Sequence, residues 1–201
     1  MNFKKLQEMQ RALDNAILKE KPEMKAEERF DKTLVALSVE IAELANTAEH
    51  FKFWKENKGK IDSKRFIVTP GIANKIIDSD YYDKNNDEHV TTEQAHKLTL
   101  VEEASDCLHF ILSLANQLDI ELEQKKLSAI KVKREFSYSI IQYSIGLMGI
   151  LVSNETQIEL LDAIFRNFYV YAFMLGITTE ELEQAYYDKN EINYRRLREG
   201  Y

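Results

Sequence analysis

The segment from Leu34 to Ala45 constrains the fold more than any other, because its only polar residues are Ser38, Glu40 and Glu43. A helix that is apolar nearly all round is buried among other helices. Only two prolines and six glycines occur among the 201 residues, and both residue types disfavour helix interiors. We therefore predict an all-α fold, a helical bundle of about six helices.

Apolar residues at three- and four-residue steps predict where the helices lie. Three capping pairs, each ending in Gln or Glu three positions on, mark helix starts; they are Thr91 with Gln94, Asn154 with Gln157, and Thr178 with Glu181. Within one predicted domain, residues 1–201, the helices cover residues 1–20, 26–56, 91–118, 121–152, 154–176 and 178–199.

Residues 57–90 interrupt the helical pattern. They contain Pro70 and Gly71, many charged residues and few periodic apolar positions. The stretch is long for a connection within a compact domain. We predict an irregular loop or a small insertion here, without a sheet, because no alternation of apolar and polar residues is long enough.

Charge and cysteine content narrow the class of partner. The net charge of −7 argues against direct nucleic-acid binding. The single cysteine, Cys107, excludes an intrachain disulfide and fits a reducing compartment, so we expect a cytoplasmic protein. No apolar run approaches the ~20 residues of a membrane span, and the first 20 residues lack a signal-peptide core.

Two acidic pairs lie within the most apolar predicted helices. Glu40 and Glu43 are three residues apart, as are Glu103 and Asp106, so each pair shares one helix face. Buried carboxylates are costly without a compensating charge, and neither helix offers a basic residue beside its pair. Oxygen ligands without His or Cys suit Mg²⁺, or Mn²⁺ as the alternative. Acidic pairs of purely structural origin are also common on helices.

Two other segments combine cationic with aromatic or amide side chains. Trp54 and Lys55 follow the first acidic pair, and Lys189, Asn193 and Arg196 project from one side of the sixth predicted helix. Such residues suit phosphates, a sugar hydroxyl and a base. Helix ends solvated by basic residues are the simpler interpretation of each segment alone.

Taken together, these segments resemble the dimeric, all-α dUTPase family, within the MazG-like superfamily of all-α NTP pyrophosphatases. The acidic pairs alone indicate only the superfamily, whereas the tryptophan segment and the C-terminal row point to dUTPase. The resemblance rests on Glu40-x-x-Glu43, Phe51-Lys52-x-Trp54-Lys55, Glu103-x-x-Asp106-x-x-His109, Lys189-Asn190-x-x-Asn193-x-x-Arg196 and Gly200-Tyr201.

The resemblance implies a homodimer that converts dUTP to dUMP and pyrophosphate, which limits uracil incorporation into DNA. Glu43 would orient or deprotonate the attacking water. The implied ligands of Mg²⁺ are Glu40, Glu43, Glu103 and Asp106. The implied substrate contacts are Lys55, Lys189 and Arg196 to phosphates, Asn193 to the deoxyribose, and Gln10, Asp14, Trp54 and His109 around the uracil. Asp14 stands where many members carry Asn.

Two other functions fit the same residues. A MazG-like pyrophosphohydrolase for another nucleotide would share the metal site and differ in its base pocket. A helical regulatory or scaffold protein would carry the acidic pairs for structural reasons and would not respond to Mg²⁺.

Overall fold

A computed structural model describes residues 1–56, 58–69, 81–123, 133–150 and 153–200. The described residues form the predicted all-α bundle of six helices, with one small sheet added. The elements in chain order are α1 (Phe3–Lys19), α2 (Ala26–Ala48), β1 (Phe66–Val68), β2 (Tyr81–Asp83), β3 (Glu88–Val90), α3 (Thr92–Gln117), α4 (Arg134–Met148), α5 (Asn154–Met174) and α6 (Thr179–Arg198).

Helix α3 lies at the centre of the bundle and packs against α1, α2, α5 and α6. Its sequence explains the position, because buried residues lie on nearly all of its sides. Each fully buried Leu or Ile contributes about 1.5–3 kcal/mol relative to an exposed one. The wholly buried residues of α2 and α3 in the main core include Leu37, Ile41, Leu44, Leu108, Ile111 and Leu112.

The predicted burial of α2 on all sides is wrong for one stripe. Val35 and Val39 are 65% and 48% exposed, so the helix buries one broad face rather than its whole circumference. Cys107, in contrast, is buried as predicted. Among the described residues no single helix has the length and apolar composition of a membrane span, although the bent pair α5 and α6 passes that test together.

Two of the three predicted caps are confirmed. Thr91 and Thr178 each begin a helix with a complete capping box. The third is wrong by one position. The N-cap is Ser153, whose hydroxyl accepts the hydrogen bond from the Thr156 backbone, and Asn154 is the first residue of α5. Ser153, the residue before Asn154, thus takes the capping role that the pattern assigned to Asn154.

Helix α2 ends at Ala48, eight residues before the predicted end at Glu56. Glu49 adopts a left-handed backbone conformation, with φ of 51°, which stops the helix. Its buried carboxylate accepts hydrogen bonds from the Lys52 ammonium, at 2.8 Å, and from the Gly59 backbone N–H, at 3.0 Å. These bonds turn the following segment back toward the end of α2.

The prediction that residues 57–90 contain no sheet is wrong. Strands β1, β2 and β3 form an antiparallel sheet in that order. Each strand has three residues, too few to show a period of two in the sequence. Phe66 and Val90 pack against Ala95 of α3 in a small second core. Pro70 and Gly71, named above as part of the irregular stretch, lie outside the described residues.

The fourth helix is shorter than its predicted span of 121–152. The backbone at Leu122 is not helical, and its N–H donates to the Gln7 side chain at 2.9 Å. The Gln7 amide in turn donates to the Ile120 carbonyl at 2.8 Å, which ties this connection to α1. Residues 124–132 and 151–152 lie outside the described part of the chain.

Candidate metal and nucleotide site

The two acidic pairs meet where α2 packs against α3. Glu40, Glu43 and Glu103 each offer a carboxylate oxygen, and these oxygens lie within 4.8 Å of one another. The packing of Ile41 and Leu44 against the apolar side of α3 holds both helices in this register. The predicted convergence is therefore present for three of the four carboxylates.

This cluster carries more negative charge than its surroundings stabilise. The pKa of Glu40 is raised from 4.5 to about 7, by burial first and then by the carboxylates of Asp106, Glu43 and Glu103. The pKa of Glu103 is raised to about 7 by burial and by Asp106 and Glu43. A divalent cation would remove this repulsion, and three oxygen donors suit Mg²⁺ or Mn²⁺.

Asp106, the fourth predicted ligand, is bound to a lysine from α6. The Lys189 ammonium donates to Asp106 Oδ2 at 2.7 Å and also lies 3.6 Å from Glu102 Oε1. Burial lowers the pKa of Lys189, but its two carboxylate neighbours outweigh that effect and the net shift is upward. Burial likewise raises the pKa of Asp106, and Lys189 opposes the rise. Lys189 therefore supplies a directly hydrogen-bonded counter-charge at this edge of the cluster.

The other predicted residues of α6 lie beyond Lys189. Asn193 is half-buried and Arg196 is exposed. The positive charge of Arg196 lowers the pKa of Asp106 and of Lys189, which places it within electrostatic range of the acidic cluster. Of the predicted row on α6, Lys189 and Arg196 therefore act on Asp106, a predicted metal ligand of α3.

A second polar network lies one helical turn along α3 from Asp106. The Gln10 side-chain amide donates to Asp14 Oδ1 at 2.7 Å, and Ser113 Oγ donates to Asp14 Oδ2 at 2.7 Å. The Tyr186 hydroxyl donates to Gln10 Oε1 at 3.1 Å. Burial raises the pKa of Asp14, against the hydrogen bonds from Ser113 and Gln10. Three of the predicted base contacts, Gln10, Asp14 and His109, thus lie together.

His109 is neutral in this network. Burial, together with the nearby charge of Lys189, lowers its pKa to about 3. Its Nδ1 lies 2.7 Å from Gln10 Oε1, and since that oxygen can only accept, Nδ1 carries the proton. Nε2 is then an acceptor, and it is buried without a hydrogen-bond partner among the described residues. The ring stacks on Tyr186 with centroids 4.2 Å apart.

Among the described residues, the contacts of Trp54 and Lys55 are with Phe51, Phe53 and Glu49 rather than with these two networks. Trp54 is 67% exposed and Phe53 is 88% exposed, and their rings meet edge to face at 5.1 Å. Lys55 is paired with the buried Glu49. Trp54 does not continue the helical face of Glu43, because α2, which was predicted to reach Glu56, ends at Ala48. Within the described chain, then, Trp54 and Phe53 do not close a base pocket.

An apolar cavity of about 540 Å³ opens beside Glu43. Val39 and Ala42 of α2, Tyr138 of α4 and Phe51 line it together with Glu43. The cavity therefore touches the predicted catalytic carboxylate from the side of α4, an element that the sequence pattern did not connect with the site.

Several residues of the site were not predicted from the sequence. Ser113 was visible as a polar residue in an apolar run, but nothing in the pattern connected it with Asp14. Tyr186 and Glu102 carry no sequence signal, because their partners lie far along the chain. Arg65 and Asp83 fall in the segment where no pattern was found; Arg65 binds Asp83 through two hydrogen bonds, at 2.9 and 2.7 Å.

Comparison with known proteins bears on this arrangement. The sequence model of a family described as dUTPase matches residues 2–68 and 89–201. Both acidic pairs, the tryptophan segment and α6 lie within the match, and residues 69–88 lie between its two parts. None of the curated proteins matches the chain significantly. Enzymes of this family act on nucleotides and generally depend on a divalent metal. With a match over most of its length, the chain belongs to the dUTPase family.

Proposed function

We propose that this protein is a Mg²⁺-dependent dUTP pyrophosphatase, which converts dUTP and water to dUMP and diphosphate. The observation that carries the proposal is the convergence of Glu40, Glu43 and Glu103 within 4.8 Å, in a chain of the dUTPase family. By removing dUTP the enzyme would limit uracil incorporation into DNA. We propose the cytoplasm as its location, because a single cysteine fits a reducing compartment.

The proposed roles follow the positions of the side chains. Mg²⁺, held by Glu40, Glu43, Glu103 and Asp106, would offset the charge of the triphosphate. Glu43 lies at the open, cavity-lined side of the cluster and would orient or deprotonate the attacking water. Lys189 already faces the cluster and would hold a phosphate.

The remaining phosphate and sugar contacts are assigned to Arg196, Asn193 and Lys55. Arg196 lies within electrostatic range of Asp106, and Asn193 lies between it and Lys189 along α6. Lys55 reaches a phosphate only by leaving Glu49, with which it is paired. A triphosphate is itself a strong acceptor for such a cation.

Uracil recognition is assigned to the network around His109. The neutral ring offers Nε2 as an acceptor, and uracil carries an N–H donor at position 3 where cytosine carries a lone pair. A buried acceptor left facing another acceptor is costly, so such a site rejects the wrong base strongly. Gln10 holds the ring by accepting the hydrogen bond from Nδ1, and Asp14 fixes Gln10 by accepting from its side-chain amide.

Selection against thymine requires a wall near the 5-position of the base. Trp54 and Phe53 are the proposed wall, although both are largely exposed. A homodimer would cover exposed aromatic residues of this kind. We propose the homodimer on this basis and on the resemblance to dimeric dUTPases.

A second enzymatic function is a pyrophosphohydrolase for another nucleotide, which would use the same carboxylates. A helical scaffold is the non-enzymatic alternative. The membership in an enzyme family and the raised pKa values of Glu40 and Glu103, to about 7, favour a functional cluster over a structural one.

The test is Mg²⁺-dependent pyrophosphate release from dUTP, dTTP, dCTP and dATP, with a chelator as the control. We expect dUTP to give the highest kcat/KM, by at least about tenfold over dCTP and dTTP, and Trp54→Ala to raise KM and weaken the selection. Comparable kcat/KM for dUTP and dCTP would overturn the dUTPase assignment and leave a broader pyrophosphohydrolase. No release from any nucleotide would favour the scaffold.

A further inference from the structure

A chain of ion pairs runs from the small sheet into the candidate site. Asp83, at the end of β2, is wholly buried and accepts two hydrogen bonds from Arg65. Arg65 Nη1 donates to Glu102 Oε2 at 3.4 Å, and Glu102 Oε1 lies 3.6 Å from the ammonium of Lys189. Lys189 ends the chain at Asp106.

The anchor of this chain is rigid. Asp83 also accepts hydrogen bonds from the Asn85 backbone, at 3.0 Å, and from the Asn86 side chain, at 3.1 Å. A planar guanidinium that binds both oxygens of a buried carboxylate has little freedom to rotate. Arg65 is itself only 13% exposed, so its third nitrogen is directed at Glu102 by the two bonds that hold the others.

The sheet that provides this anchor includes residues outside the family match. Asp83 lies in 69–88, the segment between the two matched parts, whereas Arg65, Glu102 and Lys189 lie within them. Arg65, Glu102 and Lys189 also line a groove of about 890 Å³ between the β2–β3 turn, α3 and α6. The chain of ion pairs therefore forms one wall of an open groove beside the acidic cluster.

We propose that Glu102 is a positioning residue that holds the Lys189 ammonium at the site, and that the small sheet fixes Glu102 through Arg65 and Asp83. The inference rests on the proposed function for the identity of the substrate. When a cation or a phosphate chain competes for Asp106 or Lys189, Glu102 provides the second carboxylate that keeps the ammonium at the edge of the groove. A long lysine side chain without that partner loses its fixed position.

The decisive substitution is Arg65→Lys, because it conserves the charge and removes the two-pronged bond to Asp83. We expect KM for dUTP to rise about tenfold, with kcat within about twofold of the unmodified enzyme, as for the loss of one charge-assisted contact. The dissociation constant of Mg²⁺, measured by calorimetric titration without nucleotide, should rise as well. Arg166→Lys is the matched control, since Arg166 pairs with Asp162 on the exposed side of α5, and neither constant should change.

Arg65→Gln distinguishes the role of Arg65 as an anchor for Glu102 from the effect of its positive charge on Mg²⁺ binding. Removing a positive charge near the site would tighten Mg²⁺ binding if charge alone acted, whereas loss of the anchor for Glu102 weakens it. Tighter Mg²⁺ binding in Arg65→Gln, or unchanged KM and Mg²⁺ affinity in a folded Arg65→Lys, overturns the proposal. If Arg65→Gln does not fold, as judged by circular dichroism, Arg65→Lys decides alone. If the unmodified protein does not hydrolyse dUTP, the proposed function fails and the Mg²⁺ titration decides the inference.

Discussion

Glu40 lies within α2 and Glu49 caps the end of the same helix, yet the pKa values of their carboxyl groups are shifted in opposite directions. The pKa of Glu49 is lowered to about 2, by hydrogen bonds from Lys52 and then Lys55. The pKa of Glu40 is raised to about 7, by burial and then by neighbouring carboxylates. Nearby lysines neutralise the charge of Glu49, whereas the carboxylates around Glu40 need a bound cation to neutralise them.

The difference lies in where the counter-charges come from. Lys52 and Lys55 follow Glu49 by three and six residues, so a local turn is enough to bring them together. For the acidic cluster the ammonium partner is Lys189, which comes from α6 and binds Asp106 rather than Glu40. A region completed by local partners is a structural element, whereas a region that remains overcharged is suited to a ligand.

The largest effect is expected for Glu40→Gln, which removes one charge from the overcharged region. Pyrophosphate release from dUTP should fall by about a thousandfold or more, because a metal ligand and its charge are lost together. The melting temperature without metal should stay constant or rise, since repulsion is relieved. Glu28→Gln, on the exposed side of the same helix, is the control. Near-native turnover of Glu40→Gln would contradict the proposed metal site.

Glu49→Gln removes the carboxylate that pairs with Lys52 and Lys55 at the end of α2. We expect the free energy of unfolding to fall by about 1–3 kcal/mol, because a buried carboxylate loses its charge-assisted bonds to two lysines. For a chain of this size that corresponds to a drop of roughly 2–12 °C in melting temperature. The folded pKa of about 2 lies below the ordinary value of 4.5, so this stabilisation is present above pH 4.5 and is lost as the pH falls toward 2.

Thermal melts of the variant and the unmodified protein at a series of pH values check this prediction. The two proteins should differ most above pH 4.5 and converge toward pH 2, the window given by Glu49. A constant difference across that range would mean that the carboxylate charge contributes nothing.

The smallest effect is the pH dependence of stabilisation by Mg²⁺. Glu40 and Glu103 have folded pKa values of about 7, above the ordinary 4.5. Between these values the unfolded chain binds fewer protons than the folded one, so stability without metal falls as the pH rises. Mg²⁺ should therefore raise the melting temperature by a few degrees more at about pH 8 than at about pH 5. An equal rise at both would contradict the assignment of these groups to the metal site.

Local spacing predicted the parts of the site that depend on one helix. The pairs Glu40 with Glu43 and Glu103 with Asp106 share faces because three-residue steps fix that geometry in any helix. The burial of α2 and α3 against each other followed from their apolar composition, and it is enough to bring three of the carboxylates together.

The sequence could not predict what depends on how distant elements meet. The bond between Lys189 and Asp106 depends on the packing of α6 against α3, and that between Arg65 and Glu102 depends on a sheet whose three-residue strands leave no periodic signal. The end of α2 was missed because the left-handed conformation of Glu49 is decided by lysines and a backbone N–H that come after it.

The contact between Lys189 and Asp106, separated by 83 residues, also bears on the order of folding. Because α6 follows α2 and α3 along the chain, both acidic pairs are synthesised before Lys189, and chains fold from the N-terminal side first during synthesis. The acidic faces of α2 and α3 would then pair while one edge is still open to water, and α6 would cover Asp106 afterwards with its lysine already opposite. During synthesis the carboxylates would be hydrated before the ammonium that pairs with them has emerged, so that a charged site is assembled without passing through a dry, uncompensated state.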